Sequence, residues 1–278
     1  MRKQKIWLFL VFFLPVISVC GDGVYKKSGK GFRDLNKNGK LDPYENPAES
    51  VEGRLQDLLR QMTLEEKVGQ LAHTLGWNYY EKDENGQVRL TDLFRSDLKN
   101  RYIGCFWATL RADPWTRKTL RTGLSPREAA EMTNAMQRYA RDSTRLGIPL
   151  FLAEECPHGH MAIGTTVFPT AIGRASTWNT ELEERVAEIV ALEARLQGGH
   201  IGYGPVLDVA RELRWSRVEE GYGEDPFLSG SMGSAYVRGL QGGNVGSGEN
   251  VIATLKHFTG CLKAGIMPGW LMWECGNC

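Results

Sequence analysis

The residues most able to do chemistry in this 278-residue chain fall in three clusters. Glu154, Glu155, Cys156, His158 and His160 form the first; Asp208, Arg211, Arg214, Arg217, Glu219, Glu220, Glu224 and Asp225 form the second; Lys256 and His257 form the third. Each follows a short apolar run, at 148–153, 201–207 and 251–255. Carboxylates beside fixed cations suit a ligand rich in hydroxyl groups. Each hydroxyl both donates and accepts a hydrogen bond, and charged partners hold it more strongly than neutral ones. Each residue also has a plainer reading. Glu154 fits a solvated loop carboxylate, Glu155 a helix cap, and Lys256 a strand end facing solvent. Arg214 and Arg217 fit ion pairs with Glu219, Glu220 and Glu224. His158 and His160 invite a metal, but a single intervening residue is the wrong gap for a helical site, and no third ligand is evident. The recurrence argues for function: three apolar runs each end in polar groups.

A different chemistry is written near the N-terminus. Asp34-Leu-Asn36-Lys-Asn38-Gly39-Lys40-Leu-Asp42-Pro-Tyr-Glu45 fits the EF-hand loop pattern, with side-chain oxygens at positions 1, 3, 5 and 9, Gly at 6 and Glu at 12. Lys40, at position 7, ligates through its backbone carbonyl in that pattern. The expected ion is one structural Ca2+; the alternative is a polar linker rich in Asn, Asp and Gly. A single loop with little helix on the Phe32 side favours a clip over a sensor pair.

The elements that must position these residues alternate. Apolar spacing predicts a helix over 51–62, and Thr63-Leu-Glu-Glu66 caps another. Ser125-Pro126-Arg-Glu128 starts a helix to about Thr144, Thr180-Glu-Leu-Glu183 caps another to about Leu196, and a further helix is expected over 226–240. Strands are expected over 102–107, 148–153, 201–207 and 251–255. The continuous apolar run at 148–153 suits a strand buried on both faces. Strand, helix, strand at this spacing gives βαβ units and an α/β fold with a parallel sheet. A (β/α)8 TIM barrel and a doubly wound sheet both remain open. No Gly-x-Gly-x-x-Gly opens a helix after the first strand, which weighs against a dinucleotide domain. In a barrel, chemistry gathers past the C-terminal strand ends, where all three clusters fall.

Composition narrows the class. Hydrophobic residues make up 42% and charged residues 24%, the range of a globular chain rather than a disordered or fibrous one. The net charge of +1 argues against a protein that holds nucleic acid by neutralising phosphates. Arg2, Lys3 and Lys5 precede an apolar run at 6–19 that is short for a membrane span and right for a signal peptide. Ile17-Ser18-Val19-Cys20 resembles a bacterial lipobox, although Val19 sits where a small residue is usual. Two outcomes stay open: a periplasmic or cell-surface lipoprotein attached to a membrane through lipidated Cys20, or a chain cleaved nearby and soluble. The 6 cysteines do not form a dense disulfide framework. Cys275 and Cys278 have redox or zinc spacing without a second pair. The expected organisation is a signal peptide over 1–20, a linker with the calcium loop over 21–48, an α/β domain over 49–260 and a tail over 261–278.

The motifs are also recognisable together. Gln61-Met-Thr-Leu-Glu-Glu-Lys-Val68, Gly147-Ile-Pro-Leu-Phe-Leu-Ala-Glu-Glu-Cys-Pro-His-Gly159, the Phe168-Pro169 step, Gly204-Pro-Val-Leu-Asp208, Arg214-Trp-Ser-Arg217, Tyr222-Gly-Glu-Asp-Pro226 and Lys256-His-Phe258 occur in the order seen in family 3 glycoside hydrolases. Over about residues 50–260 the chain resembles exported bacterial β-glucosidases and β-xylosidases of that family. The resemblance implies a (β/α)8 barrel followed by an α/β sandwich. It also implies hydrolysis of β-linked glucosyl or xylosyl residues with retention, and no cofactor for catalysis. Glu155 matches the acidic position that binds sugar hydroxyls in the −1 subsite. Lys256 and His257 match the Lys-His pair holding the same sugar. Arg217 matches the arginine of a Trp-Gly-Arg motif, with Ser216 in place of Gly. Glu224 and Asp225 match a motif that shapes the loop. The family's nucleophile lies in a Ser-Asp-Trp type motif downstream of Lys-His-Phe, and its general acid later still. Neither has a match before Cys278, so the resemblance assigns no catalytic residue here. The expectation is a barrel incomplete at its C-terminus that turns over no substrate by itself, with 261–278 the product of a shifted or truncated reading frame. The alternative is a non-catalytic exported surface protein that binds sugar or calcium. A sugar-phosphate barrel enzyme fits less well, given the export leader and the lack of a glycine-rich phosphate loop.

Overall fold

Helix starts are set by local chemistry. In the computed structural model, which describes residues 32–258, Ser50, Thr63, Thr91, Ser125, Asn179 and Asp225 each accept a backbone N–H from the turn that follows. Each thereby satisfies a donor that the helix itself leaves unpaired. They open α1 (Val51–Gln61), α2 (Leu64–Gln70), α3 (Asp92–Asn100), α4 (Pro126–Ser143) and, after the short α5 (Ala171–Ala175), α6 (Thr180–Leu196) and α7 (Pro226–Gln241). Thr63 with Glu66 and Ser125 with Glu128 form the expected reciprocal capping boxes. The leader with Cys20, the pair Cys275 and Cys278, and the segment 261–278 lie outside the described residues.

The strands are β1 (His73–Leu75), β2 (Tyr80–Lys82), β3 (Val88–Leu90), β4 (Cys105–Trp107), β5 (Phe151–Glu155), β6 (Ile201–Tyr203) and β7 (Ile252–Ala253). Five of them make one sheet in the order β1-β4-β5-β6-β7, and every pair in it is parallel. The remaining two, β2 and β3, form an antiparallel hairpin. Neighbours in space follow chain order, as in a barrel wound one way round; a doubly wound sheet reverses direction partway. The sheet therefore decides between the two architectures in favour of the (β/α)8 type.

All four expected strands differ in their bounds from the sequence reading: β4 starts at Cys105 rather than 102, β7 covers only Ile252–Ala253 of 251–255, and β5 and β6 are shifted or shortened as follows. Strand β5 starts at Phe151, not 148, and runs through Glu155. The Gln137 side chain explains the late start: its amide accepts from Leu150 N at 3.0 Å and donates to Leu150 O at 2.9 Å. That side chain takes the place of a neighbouring strand. Strand β6 stops at Tyr203, ahead of Gly204 and Pro205, because Pro205 has no N–H for the ladder. Pairing resumes in the parallel bridge of Val206 with Lys256.

The core has two main parts. Phe106 of β4 and Leu152 of β5 are buried with Phe94 and Leu98 of α3 and Met132 and Met136 of α4. Ala187, Val190 and Ala191 of α6 cluster with Tyr236 and Leu240 of α7 and with Val251 just ahead of β7. The α6–α7 contact depends on Gly239, where an added Cβ would lie 2.2 Å from Glu184 O and 2.6 Å from Ala187 Cβ. The obstacle is backbone, which cannot rotate aside. Gly239→Ala should destabilise the protein by about 1–3 kcal/mol, the usual cost of overpacking. Urea unfolding would read it, and an unchanged midpoint would refute this account of the contact.

A polar knot ties α5 and α6 to the segment after β5. Arg174 and Glu183 are 6% and 1% exposed and form a two-pronged pair at 2.8 and 3.0 Å. Arg174 also donates to the carbonyls of Pro157 and Pro169, and Tyr222 OH donates to Glu183 Oε1 at 2.7 Å. Burial pulls the guanidinium pKa down, but Glu183 outweighs it and holds it above the ordinary value.

Candidate functional site

Glu155 is the last residue of β5, paired in register with Tyr203 of β6. Trp107, the last residue of β4, donates Nε1 to Glu155 Oε1 at 3.0 Å. Lys256, just past β7, donates Nζ to Glu155 Oε2 at 2.9 Å and lies over the Tyr203 ring at 5.6 Å. Arg111 stands 3.9 Å from Glu155 Oε1. Strands β4, β5, β6 and β7 thus each bring a group to one point on the sheet's C-terminal rim. Each oxygen of Glu155 accepts one bond and keeps a lone pair for a hydroxyl.

His257 extends this point through Asp208. Its ring Nδ1 is 2.7 Å from Asp208 Oδ2, and its backbone N–H donates to the same oxygen at 3.3 Å. Arg217 is held by Glu220 in a two-pronged pair at 2.5 and 2.6 Å. Burial pushes the Glu220 carboxyl up, but Arg217, with the nearby charges of Lys256 and His257, holds it below the ordinary value. Arg217 and Glu220 therefore sit within electrostatic reach of the Lys256–His257 pair. Glu155 and Lys256 touch directly, His257 follows Lys256 in the chain, and Arg217 is paired with Glu220, whose carboxyl feels the charges of Lys256 and His257.

Neighbouring residues take other roles. Glu154 is not a solvated carboxylate: it is 1% exposed, and both its oxygens lie 3.2 Å from the N–H of Leu110. Burial, with a smaller push from the charge of Glu155, raises its pKa from 4.5 to about 8 against the opposing N–H groups of Leu110 and Thr109. His160 is buried, neither ring nitrogen has a partner, and burial lowers its pKa to about 4. Among the described residues, no third His, Cys, Asp or Glu joins His158 and His160 in a metal-ligating group. Arg214 pairs with Glu212 in solvent, and Asp225 caps α7. The loop residues Asp34, Asn36, Asn38, Lys40, Asp42 and Glu45 lie apart from this rim, ahead of α1 and against the connection that leads into β5.

Sequence reasoning missed Trp107, Arg111 and Tyr203. Trp107 and Tyr203 sit inside apolar strands, where a ring reads as core. An indole N–H seeks a partner when buried, and that was the available signal. Trp107 and Trp77 both meet Trp115, at 5.7 and 4.8 Å between ring centroids, and Arg111 covers Trp115 at 4.6 Å.

The model of the glycosyl hydrolase family 3 N terminal domain matches residues 63–265. A periplasmic beta-glucosidase/beta-xylosidase of Dickeya chrysanthemi is 32% identical over 92% of this chain and 38% of its own length. A periplasmic beta-glucosidase of Salmonella typhimurium is 32% identical over 73% of this chain and 22% of its own. The chain spans well under half the length of these relatives. Among solved structures, an exo-1,3/1,4-beta-glucanase of a Pseudoalteromonas species superposes with a TM-score of 0.61 at 29% identity, covering 81% of this chain and 26% of that one. A beta-glucosidase of Listeria innocua gives 0.58 at 30% identity, covering 78% of this chain and 28% of that one. The match covers most of the chain and the parallel sheet agrees with it: the chain belongs to glycosyl hydrolase family 3.

Proposed function

We propose that this chain is the barrel portion of an exported β-glycosidase and that its rim holds the terminal sugar of a β-glucoside or β-xyloside. The observation that carries the reading is the Glu155–Lys256 pair at 2.9 Å, with His257 next in the chain and held by Asp208. A sugar hydroxyl entering there meets a carboxylate that accepts and an ammonium that donates, so its proton and one of its two lone pairs each find a charged partner. Trp107 and Arg111 fix the carboxylate from its other side. Retaining hydrolysis also requires a nucleophile and a general acid; the role assigned to Glu155, Arg217, Lys256 and His257 is binding. The charged leader and the relatives named as periplasmic support export, and membrane attachment through Cys20 is the finer form of that proposal.

The test is titration calorimetry of the purified full chain with glucose and with xylose. Saturable binding is expected, and Lys256→Ala or Glu155→Gln should weaken it by about tenfold or more, as the loss of one charge-assisted hydrogen bond would. Folded wild-type chain that binds neither sugar would overturn the reading. Hydrolysis of an aryl β-glucoside abolished by Glu155→Gln, with sugar binding unchanged, would overturn the role given to Glu155.

A further inference from the structure

We propose that the loop 34–45 is a calcium site that fastens the segment ahead of α1 to the connection leading into β5. Its turn already has the form a cation needs. Gly39 adopts φ +82°, and its N–H donates to Asp34 Oδ2 at 2.8 Å. This leaves Asp34 Oδ1, which is sealed from solvent and has no hydrogen-bond partner. A carboxylate oxygen in that state is costly unless a positive group meets it. The loop's two lysines do not supply that group. Lys37 donates to Thr144 O at 2.9 Å, and Lys40 is exposed.

The other ligand positions are hydrogen-bonded to one another or to the loop backbone around the same turn. Buried Glu45 accepts N–H groups from Leu35 at 2.5 Å, Asn36 at 3.2 Å and Asp42 at 3.1 Å, which brings the last position of the loop back to its second and third. Asp42 Oδ2 accepts the amides of Asn36 and Asn38 at 2.5 and 2.7 Å. Asn36 Oδ1 and Asn38 Oδ1 each accept one backbone N–H and keep a second lone pair. Among the described residues the three carboxylates do not by themselves gather into a metal-ligating group. The donor set instead mixes carboxylate, amide and carbonyl oxygens.

That mixture selects the ion. An all-oxygen set without His or Cys disfavours zinc and suits a hard cation. A flexible set offering both oxygens of Glu45 suits calcium over magnesium, which demands near-octahedral geometry and dehydrates reluctantly.

The loop has something to fasten. Tyr44 OH donates to Leu146 O at 3.3 Å, Asn36 Nδ2 to Gln61 Oε1 at 3.1 Å, and Arg54 Nε to Tyr44 O at 3.1 Å. These bonds bridge α1 and the α4–β5 connection, at the end of β5 remote from Glu155.

The full chain, stripped with chelator and titrated with CaCl2, should take up one ion. Its melting temperature should rise by about 3–8 °C in calcium excess and fall back on chelation, while MgCl2 at the same concentration does little. Glu45→Gln and Asp34→Asn, which keep size and loop bonding, should weaken calcium binding by about tenfold or more. Terbium emission excited through the neighbouring Tyr44 should appear in the wild type and be displaced by calcium. Far-UV circular dichroism separates a folded variant from a misfolded one. Folded wild-type chain showing no heat, melting shift or terbium signal in millimolar calcium, or affinity unchanged in both variants, would overturn the site.

Discussion

Arg174→Met should cost about 3–5 kcal/mol of stability, because it strands the Glu183 carboxylate in the interior. Glu183 is 1% exposed, and its remaining donor would be Tyr222 OH at 2.7 Å. One neutral hydroxyl does not replace a two-pronged guanidinium at 2.8 and 3.0 Å. A domain of this kind has a total stability of about 5–15 kcal/mol, so the variant should unfold at markedly lower urea. The double substitution Arg174→Met with Glu183→Leu removes both charges and should recover much of the loss. Recovery stays incomplete, since Tyr222 OH loses its acceptor and Pro157 O and Pro169 O lose their donor. Chemical unfolding of the single and double variants checks both statements. A single variant within about 1 kcal/mol of wild type would show that the pair is solvated and weak.

The second large effect concerns pH. Burial raises the Glu154 pKa to about 8 from 4.5. The folded chain therefore holds a proton that the unfolded chain gives up above about pH 4.5. Stability contributed by this group is complete below that value and declines as pH rises toward 8. At pH 8 and above the folded state carries a buried carboxylate faced by the N–H groups of Leu110 and Thr109 and, more weakly, by the charge of Arg111. Glu154→Gln keeps an oxygen for the Leu110 N–H, which lies 3.2 Å from both carboxylate oxygens, and removes the titration. It should flatten the melting profile between pH 5 and 9 and raise the melting temperature most at the alkaline end, by a stabilisation of about 3–5 kcal/mol. Thermal scans across that range decide it. A wild-type melting temperature that climbs steadily from pH 5 to 8, with the variant following in parallel, would show that Glu154 titrates normally.

Much of this was legible in the sequence because it is locally encoded. Thr63 and Ser125 cap the helices they precede, and a cap acts within a few residues of itself; at α6 the cap is Asn179 rather than Thr180, because Glu183 is taken by Arg174. The run before Glu155 reads as a buried strand because both faces are apolar. The three-residue strands β1, β2 and β3 carry too little period to detect. The late start of β5 depends on Gln137, thirteen positions away in the chain, and no local pattern reveals such a contact. At the rim, Glu155, Lys256, His257 and Arg217 stood out as charged residues closing apolar runs. Trp107 and Tyr203 did not, since an aromatic residue within a strand looks the same whether it supports a core or a carboxylate. The burial of Glu154 is likewise a property of the assembled sheet: its neighbour Glu155 has nearly the same sequence surroundings and meets a lysine instead.

The parallel winding also sets an order in time. Glu155 and Lys256 are 101 positions apart, and β6, α6 and α7 lie between them. A ribosome delivers the chain from its N-terminus at about 5–20 residues per second. For several seconds of synthesis Glu155 can have Trp107 and Arg111 beside it but no lysine. The nascent rim therefore passes through a stage with Arg111 near its carboxylate and Lys256 unmade, and it acquires the closer 2.9 Å contact only when β7 joins the edge of the sheet.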